Sequence, residues 1–192
     1  MPEIRVLQTK QDIDQARADL AHIKDGFLRA YARALNKSAE GTQTEMVRMA
    51  REEYAFKADA VRKRMWLTRA TWTSLNSSIR SKGAGVLLSD FLGTRQVTAG
   101  LSVNVKVETG RQVIRHAFLN RSRKTGKILS LRRRVIDGVR VGRLPIEGLY
   151  GPHPEVVWNT APNWGKLAGE ADGRLAAAFA HEVDYVLQQY GG

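Results

Sequence analysis

The sequence contains no cysteine among its 192 residues. This absence excludes a disulfide-bonded scaffold and a thiolate metal site, and it fits a protein assembled in a reducing cytoplasm. The chain also lacks any run close to the roughly 20 apolar residues that a helix needs to span a bilayer. Residues 1–10 lack the apolar core of a signal peptide. We therefore expect a soluble protein with no membrane contact and no export by these routes.

Patterns that hold metals or carry catalysis are missing as well. The Gly-Ala-Gly at residues 83–85 is not followed by the glycine and Lys-Ser/Thr of a phosphate loop, and no nucleophile elbow or dinucleotide fingerprint occurs. The four histidines have no second ligand at helical or turn spacing: His22, His116, His153 and His181. We therefore predict a non-enzymatic protein with no metal and no cofactor.

Acidic residues are scarce in residues 109–143, which hold eleven Lys and Arg residues and one acidic residue, Asp137. This segment has a net charge of +10 in a chain with a net charge of +12, whereas residues 144–192 carry −4. Charge segregated in this way commonly reflects the surface that a protein meets. Together with a pI near 10.4, it predicts a polyanionic partner, either nucleic acid or an acidic protein surface.

Two alternating segments within residues 109–143 predict a basic β-hairpin. Residues 112–118 and 127–136 have the pattern of strands, and the polar residues 120–127 between them predict the turn. On strand periodicity, Arg132 and Arg134 lie on one face and Arg133 on the other if the strand is regular. The candidate residues for contact with nucleic acid or a protein partner are Arg121, Arg123, Lys124, Lys127, Arg132, Arg133 and Arg134.

A second interpretation of this hairpin stays open. Lys and Arg side chains on an edge strand discourage unwanted pairing with other chains. A solvated edge strand would therefore carry the same residues without meeting any partner. Contact with phosphates or with an acidic protein ring is the alternative that assigns the charge a function.

Apolar residues at three- and four-residue steps predict a first helix from Thr9 to residues 36–38. At about 1.5 Å per residue it would be a rod of about 40 Å, which packs either on its own sheet or partly on a neighbouring subunit. A capping-box pattern at residues 42–45 predicts that a second helix begins at Thr42, and residues 57–64 predict a short third helix. The inward stripe of the first helix consists of Ile13, Ala16, Leu20, Ile23, Phe27, Tyr31 and Leu35.

From residue 65 the apolar period changes to two, which predicts strands over residues 65–80 and 86–88. Residues 97–108 alternate strongly, as in a half-buried antiparallel strand. The Asp-Gly at residues 137–138 predicts a tight turn that pairs residues 139–144 with the strand before it.

Prolines and aromatic residues mark a loop region after residue 144. Such loops are typical of protein interfaces, and a loop wrapped on its own core would look the same, so both interpretations stay open. The candidate interface residues are Pro145, Tyr150, Pro152, Trp158 and Trp164. Residues 155–159 predict a helical turn and residues 166–189 a final helix. The exposed face of that helix is expected to be acidic, with Glu170, Asp172, Glu182 and Asp184.

These elements predict an α+β fold, with a mostly antiparallel, twisted sheet flanked by long N-terminal and C-terminal helices. The length suits a single domain over residues 1–192. Its helices would cover about residues 9–64, its sheet about 65–144, and its loop and C-terminal helix about 145–190.

Several segments together resemble the prophage minor tail protein Z family, the tail-completion proteins of long-tailed phages. The similarity covers about residues 30–155, and His153 departs from it where a small polar residue is expected. The segments are Ala-Leu-Asn-Lys at 34–37, Tyr-Ala-Phe-Lys-Ala-Asp-Ala-Val-Arg-Lys at 54–63, Leu-Thr-Arg-Ala-Thr at 67–71, Leu-Leu-Ser-Asp-Phe at 87–91, Arg-His-Ala-Phe at 115–118 and, most distinctively, Leu-Pro-Ile-Glu-Gly-Leu-Tyr-Gly-Pro at 144–152.

The resemblance implies a structural protein at the head-proximal end of a phage tail, assembled in the host cytoplasm. It would complete the tail so that a filled head can join and DNA can be held for delivery. It would form a homo-oligomeric ring, expected to be a hexamer, and a ring needs two different surfaces on each subunit. The implied partners are the tail terminator or tail tube protein and the head–tail connector proteins, with the tape measure protein and genomic DNA as further candidates.

Two rival functions come from other classes. One is a free nucleic-acid-binding protein that grips phosphates with the basic hairpin, residues 109–143. The other is an enzyme that acts on nucleic acid or cell wall. Monomers at every concentration, together with tight and salt-sensitive DNA binding, would favour the first rival over a ring.

Overall fold

The computed structural model of the chain describes residues 10–136, 139–140 and 145–190. Its helices are α1 (Lys10–Asp19), α2 (Gly26–Glu53), α3 (Ala58–Arg62), α4 (Glu155–Trp158) and α5 (Ala161–Tyr190), with a 3-10 turn at Leu88–Asp90. Its strands are β1 (Met65–Thr68), β2 (Ser78–Ser81), β3 (Val86–Leu87), β4 (Arg95–Val97), β5 (Gly100–Asn104), β6 (Arg111–Arg115), β7 (Ala117–Arg121), β8 (Ile128–Arg133), β9 (Val135–Ile136), β10 (Val139–Arg140), β11 (Ile146–Gly148) and β12 (Tyr150–Gly151).

The predicted α+β class is confirmed, with long helices towards both ends and antiparallel pairing between the described strands. The strands form several small sheets: β1–β2, β4–β5–β6, β7–β8–β11, β3–β12 and β9–β10. The Asp-Gly turn at 137–138 and the start of the first helix at Thr9 lie outside the described residues. Val139 does pair with Ile136, as predicted.

The chain divides into two compact units. The first takes its described residues from 10–46, 65–81 and 158–190, and the second consists of Val47–Arg64 and Lys82–Val157, without the undescribed residues. The single domain over residues 1–192 stays a prediction.

The core of the first unit joins α1 and α2 to α5. The inward stripe predicted for the N-terminal helix is confirmed in its buried Ala16 and Leu20, and its Phe27 and Tyr31 pack against that core. The ring of Phe179 meets the rings of Phe27 and Tyr31 edge-on, at centroid distances of 5.9 and 5.4 Å. The stripe therefore packs on the C-terminal helix of its own chain.

The boundaries predicted for the first two helices are wrong. The helix is interrupted at residues 20–25, where Asp25 has a φ of 57°. A second helix, α2, then runs without interruption from Gly26 to Glu53. Thr42 lies inside α2, where its Oγ1 donates to the Ser38 carbonyl oxygen at 2.9 Å. A threonine hydroxyl satisfied within the helix needs no cap role, so the capping-box pattern did not mark a helix start here.

The core of the second unit contains the fully buried rings of Phe56 and Phe91, whose centroids lie 4.8 Å apart and whose planes are tilted by 44°. The single strand predicted over residues 97–108 is corrected to two strands, because the chain turns between Val97 and Gly100, which pair with each other. Residues 100–103 are all buried, not alternately exposed. Burial on both faces explains why alternation failed there.

Two other predicted segments also differ. Residues 65–80 form β1 and β2 with a nine-residue connection at 69–77, not one continuous strand. Residues 146–151, predicted as loop, pair as β11 with β8 and as β12 with β3. The predicted helical turn near 155–159 is confirmed as α4, and the final helix begins earlier than predicted, at Ala161.

Candidate partner-binding hairpin

The basic segment forms the predicted hairpin from β7 and β8. Its register runs from Ala117 opposite Arg132 to Arg121 opposite Ile128. The segment predicted as one strand at 112–118 is divided, because β6 pairs with β5 while β7 pairs with β8. The hairpin proper is therefore residues 117–133.

The division falls at His116, which has a φ of 62°. A non-glycine residue rarely adopts this left-handed conformation, so the backbone changes direction there at a local cost in free energy. The Gln96 side chain then bonds to the edge of β7. It donates to the Ala117 carbonyl oxygen at 3.3 Å and accepts from the Leu119 amide at 2.9 Å. One side chain thus holds β7 beside β4.

The tip of the hairpin is closed by its own backbone. The Ser122 amide donates to the Lys127 carbonyl oxygen at 2.9 Å, and the Gly126 amide donates to the Ser122 carbonyl oxygen at 2.8 Å. Gly126 has a φ of 68°, which glycine adopts without strain. The chain therefore presents the tip in a defined conformation.

Three predicted contact residues at the tip are exposed cations. Arg121, Arg123 and Lys124 lie at the surface, and none forms an ion pair with any residue in the described part of the chain. Lys127 differs, because its Nζ lies 3.4 Å from Asp90 Oδ2. At the tip, Arg121, Arg123 and Lys124 are thus exposed, while Lys127 also fastens the hairpin to the 3-10 turn.

The arginine triplet is not a uniform patch. Arg132 and Arg133 are half-buried at the end of β8, and Arg134 is exposed just beyond it. The Arg133 guanidinium lies 5.7 Å from the centre of the Phe118 ring, a cation–π contact. Arg132 lies opposite Glu147 of β11. Because β8 ends at Arg133, the regular alternation on which the face prediction depended does not extend to Arg134.

Serine hydroxyls position β8, and the sequence patterns did not identify them. Ser130 is fully buried and its Oγ donates to the Leu149 carbonyl oxygen at 2.9 Å. Ser89 Oγ donates to the Ile128 carbonyl oxygen at 2.9 Å, and Lys57 Nζ donates to the Ser89 carbonyl oxygen at 2.7 Å. The only signal available in the sequence was a small polar residue inside an apolar strand segment.

The residues of the predicted interface loop belong to both compact units. Pro145, Tyr150 and Pro152 belong to the second unit, whereas Trp158 and Trp164 belong to the first. Tyr150 is 63% exposed and Pro145 is exposed, but Trp158 is only 2% exposed. Trp158 is thus buried within this chain, and partner contact by the other four residues stays a prediction.

In residues 10–136, 139–140 and 145–190, no group of three or more His, Asp or Glu side chains is placed to hold a metal ion. Burial raises the pKa of Tyr54, and the neighbouring Glu53 carboxylate raises it further. Among the helices of the described part, none has the length and apolar character needed to cross a membrane.

The chain matches one known protein family over nearly its whole length. Residues 11–190 match the family model of prophage minor tail protein Z (GPZ). The chain belongs to this family and is a structural protein of a phage tail. Neither a curated protein nor a solved structure matches it.

Proposed function

We propose that this protein completes the head-proximal end of the phage tail and takes part in joining the tail to the head and in DNA passage. It acts without catalysis, as one subunit of a homo-oligomeric ring expected to be hexameric. Its neighbours are the tail terminator or tail tube protein on one side and the head–tail connector proteins on the other. The tape measure protein and genomic DNA are further candidate contacts.

The observation that carries this proposal is the hairpin tip. Arg121, Arg123 and Lys124 are exposed on a turn whose backbone bonds already fix its shape. A preformed turn loses little conformational entropy when it binds, and cations without internal partners gain most from meeting an anion. A tip that only prevented strand pairing would not need this order, since charge alone discourages pairing.

The matching experiment complements a prophage that lacks this gene with variants of the chain. The tip variant carries Arg121→Ala, Arg123→Ala and Lys124→Ala. The control variant carries Arg62→Ala, Lys63→Ala and Arg95→Ala, which removes three exposed cations elsewhere. We expect the tip variant to lower the yield of infectious particles about tenfold or more, with unjoined heads and tails in electron micrographs, and the control to stay near wild type.

The rival, a free nucleic-acid-binding protein using residues 109–143, predicts a different set of results. Purified wild-type protein would stay monomeric, and its affinity for duplex DNA would fall steeply with salt. The tip variant would lower that salt slope by about 0.9 for each lost phosphate contact. Heads and tails that join normally in the tip variant would overturn the tail-completion proposal.

A further inference from the structure

The chain has four tryptophans, and the two most exposed lie on one hairpin. Trp66 on β1 is 53% exposed, and Trp72 in the connection from β1 to β2 is 57% exposed. Leu75 in the same connection is 36% exposed. Single exposed apolar residues are ordinary, but three large ones within residues 66–75 concentrate exposed apolar side chains in one segment, and tryptophan is among the residue types most enriched at interface hot spots.

Hydrogen bonds hold this connection in place before any partner arrives. The side-chain nitrogen Nδ2 of Asn36 donates to the Ala70 carbonyl oxygen at 2.9 Å, and the backbone amide of Ala70 donates to Asn36 Oδ1 at 2.8 Å. The backbones of Thr71 and Ser74 exchange bonds of 2.9 and 3.1 Å around Trp72. The conformation that carries the tryptophan is therefore fixed, which lowers the entropy lost on binding.

The connection between β1 and β2 carries little charge. Residues 70–79 are ten consecutive residues without a charged side chain, in a chain with a net charge of +12. Arg69, which precedes them, is paired with Glu40 at 2.7 Å. A nucleic acid or an anionic membrane is bound by unpaired cations, whereas the one cation of this connection is already paired with Glu40. The next cation, Arg80, lies on β2 opposite Trp66.

From these observations we propose that the connection at residues 69–77, together with Trp66, is a contact surface for a second copy of this chain. Two copies that each carry +12 repel one another. They can therefore meet most readily through surfaces with little unpaired charge and exposed apolar side chains. In this connection the one cation is paired with Glu40, and Trp72 and Leu75 are exposed. The inference rests on the proposed ring and assigns one of the two different surfaces that each subunit of a ring needs.

The test measures self-association of the purified full chain by sedimentation velocity over a range of concentrations. We expect wild-type protein to assemble and its tryptophan fluorescence to become less accessible to acrylamide as it does. Trp66→Ala with Trp72→Ala should raise the dissociation constant about tenfold or more. Tyr190→Ala is the control, because it removes an aromatic side chain of similar exposure, 55%, from α5, and it should assemble like wild type.

A second variant separates loss of the surface from loss of folding. Asn76 is exposed, so Asn76→Lys should leave the thermal unfolding midpoint unchanged while it adds a positive charge to the contact and weakens assembly, whereas Asn76→Gln should not. If the double tryptophan variant and Asn76→Lys both assemble as well as wild type, this surface is overturned while the ring stays intact. Monomeric wild-type protein at every concentration would overturn the second copy as occupant. Loss of binding to phosphatidylglycerol vesicles or duplex DNA in the tryptophan variant, with self-association unchanged, would also overturn it.

Discussion

The Glu182 carboxylate on α5 is 5% exposed and forms an ion pair with the Lys37 ammonium on α2. Arg33, one turn earlier on α2, lies 3.6 Å from the other carboxylate oxygen. The sequence placed Glu182 on an exposed acidic face, and the structure corrects this. A carboxylate buried at this helix contact is stabilised by two cations that remain half-exposed.

Glu182→Gln is therefore expected to lower the free energy of unfolding by about 1–2 kcal/mol. The cost stays below that of breaking a fully buried pair because the two cations can be rehydrated. Urea unfolding measures the change, with Asp184→Asn, an exposed acid on the same helix, as the control within about 0.5 kcal/mol. Equal effects of the two substitutions would show that the buried ion pair adds nothing.

Gln96→Ala is expected to destabilise the hairpin by about 1–2 kcal/mol, because it removes the acceptor of the Leu119 amide and the donor to the Ala117 carbonyl. Amide hydrogen exchange at Leu119 should quicken. Gln112→Ala, at an exposed position of β6, should leave that exchange unchanged. Leu119 exchange at the wild-type rate in Gln96→Ala would mean that this side chain does not hold β7.

Two substitutions at His116 should change the free energy of unfolding in opposite directions. His116→Gly is expected to stabilise the protein by up to about 1 kcal/mol because glycine tolerates the φ of 62°. His116→Val should destabilise it by about 1–2 kcal/mol, because a β-branched residue is strained there. Arg115→Gly, in the regular part of β6, should destabilise instead. Thermal unfolding reports all three, and a stabilising His116→Val would contradict the assigned conformation.

Replacing each of two glycines by alanine is expected to change the stability of the protein in opposite directions. At Gly151 a methyl group would lie 2.7 Å from the buried ring of Phe91, so Gly151→Ala should cost about 1–3 kcal/mol. At Gly173 in α5 a methyl group would meet no atom within 4 Å, so Gly173→Ala should stabilise the helix by about 0.5–1 kcal/mol. Chemical denaturation compares them, and a neutral Gly151→Ala would show that Phe91 can move aside.

Sequence patterns correctly predicted helices and turns that depend on residues close together in the chain. The apolar stripe from Ala16 to Tyr31 indicated helix packing, and the polar run at 120–127 indicated a turn. The same rules failed where one pattern fits two structures. Thr42 is compatible with a helix cap and with a helix interior, and burial of residues 100–103 on both faces removed the alternation expected of a strand.

The sequence predicted the charged residues of the candidate site but not the side chains that hold the hairpin in place. Arg121, Arg123 and Lys124 could be identified because a cation cluster is visible along the chain. Gln96 and Ser89 could not be identified. Gln96 bonds to a backbone atom 23 residues away, and Ser89 bonds to one 39 residues away. No periodicity encodes which distant carbonyl a polar side chain will reach.

The sequence by itself determined the charge, the helical and strand character of most segments, and the family, because these depend on residue types and their order. Tertiary structure alone decided which charged groups are paired, which tryptophans are exposed, and where the chain leaves one sheet for another. Those outcomes depend on contacts between residues far apart in the chain, such as Lys37 with Glu182 and Asn36 with Ala70. Such contacts form only when the whole chain has found a common arrangement that buries its apolar side chains.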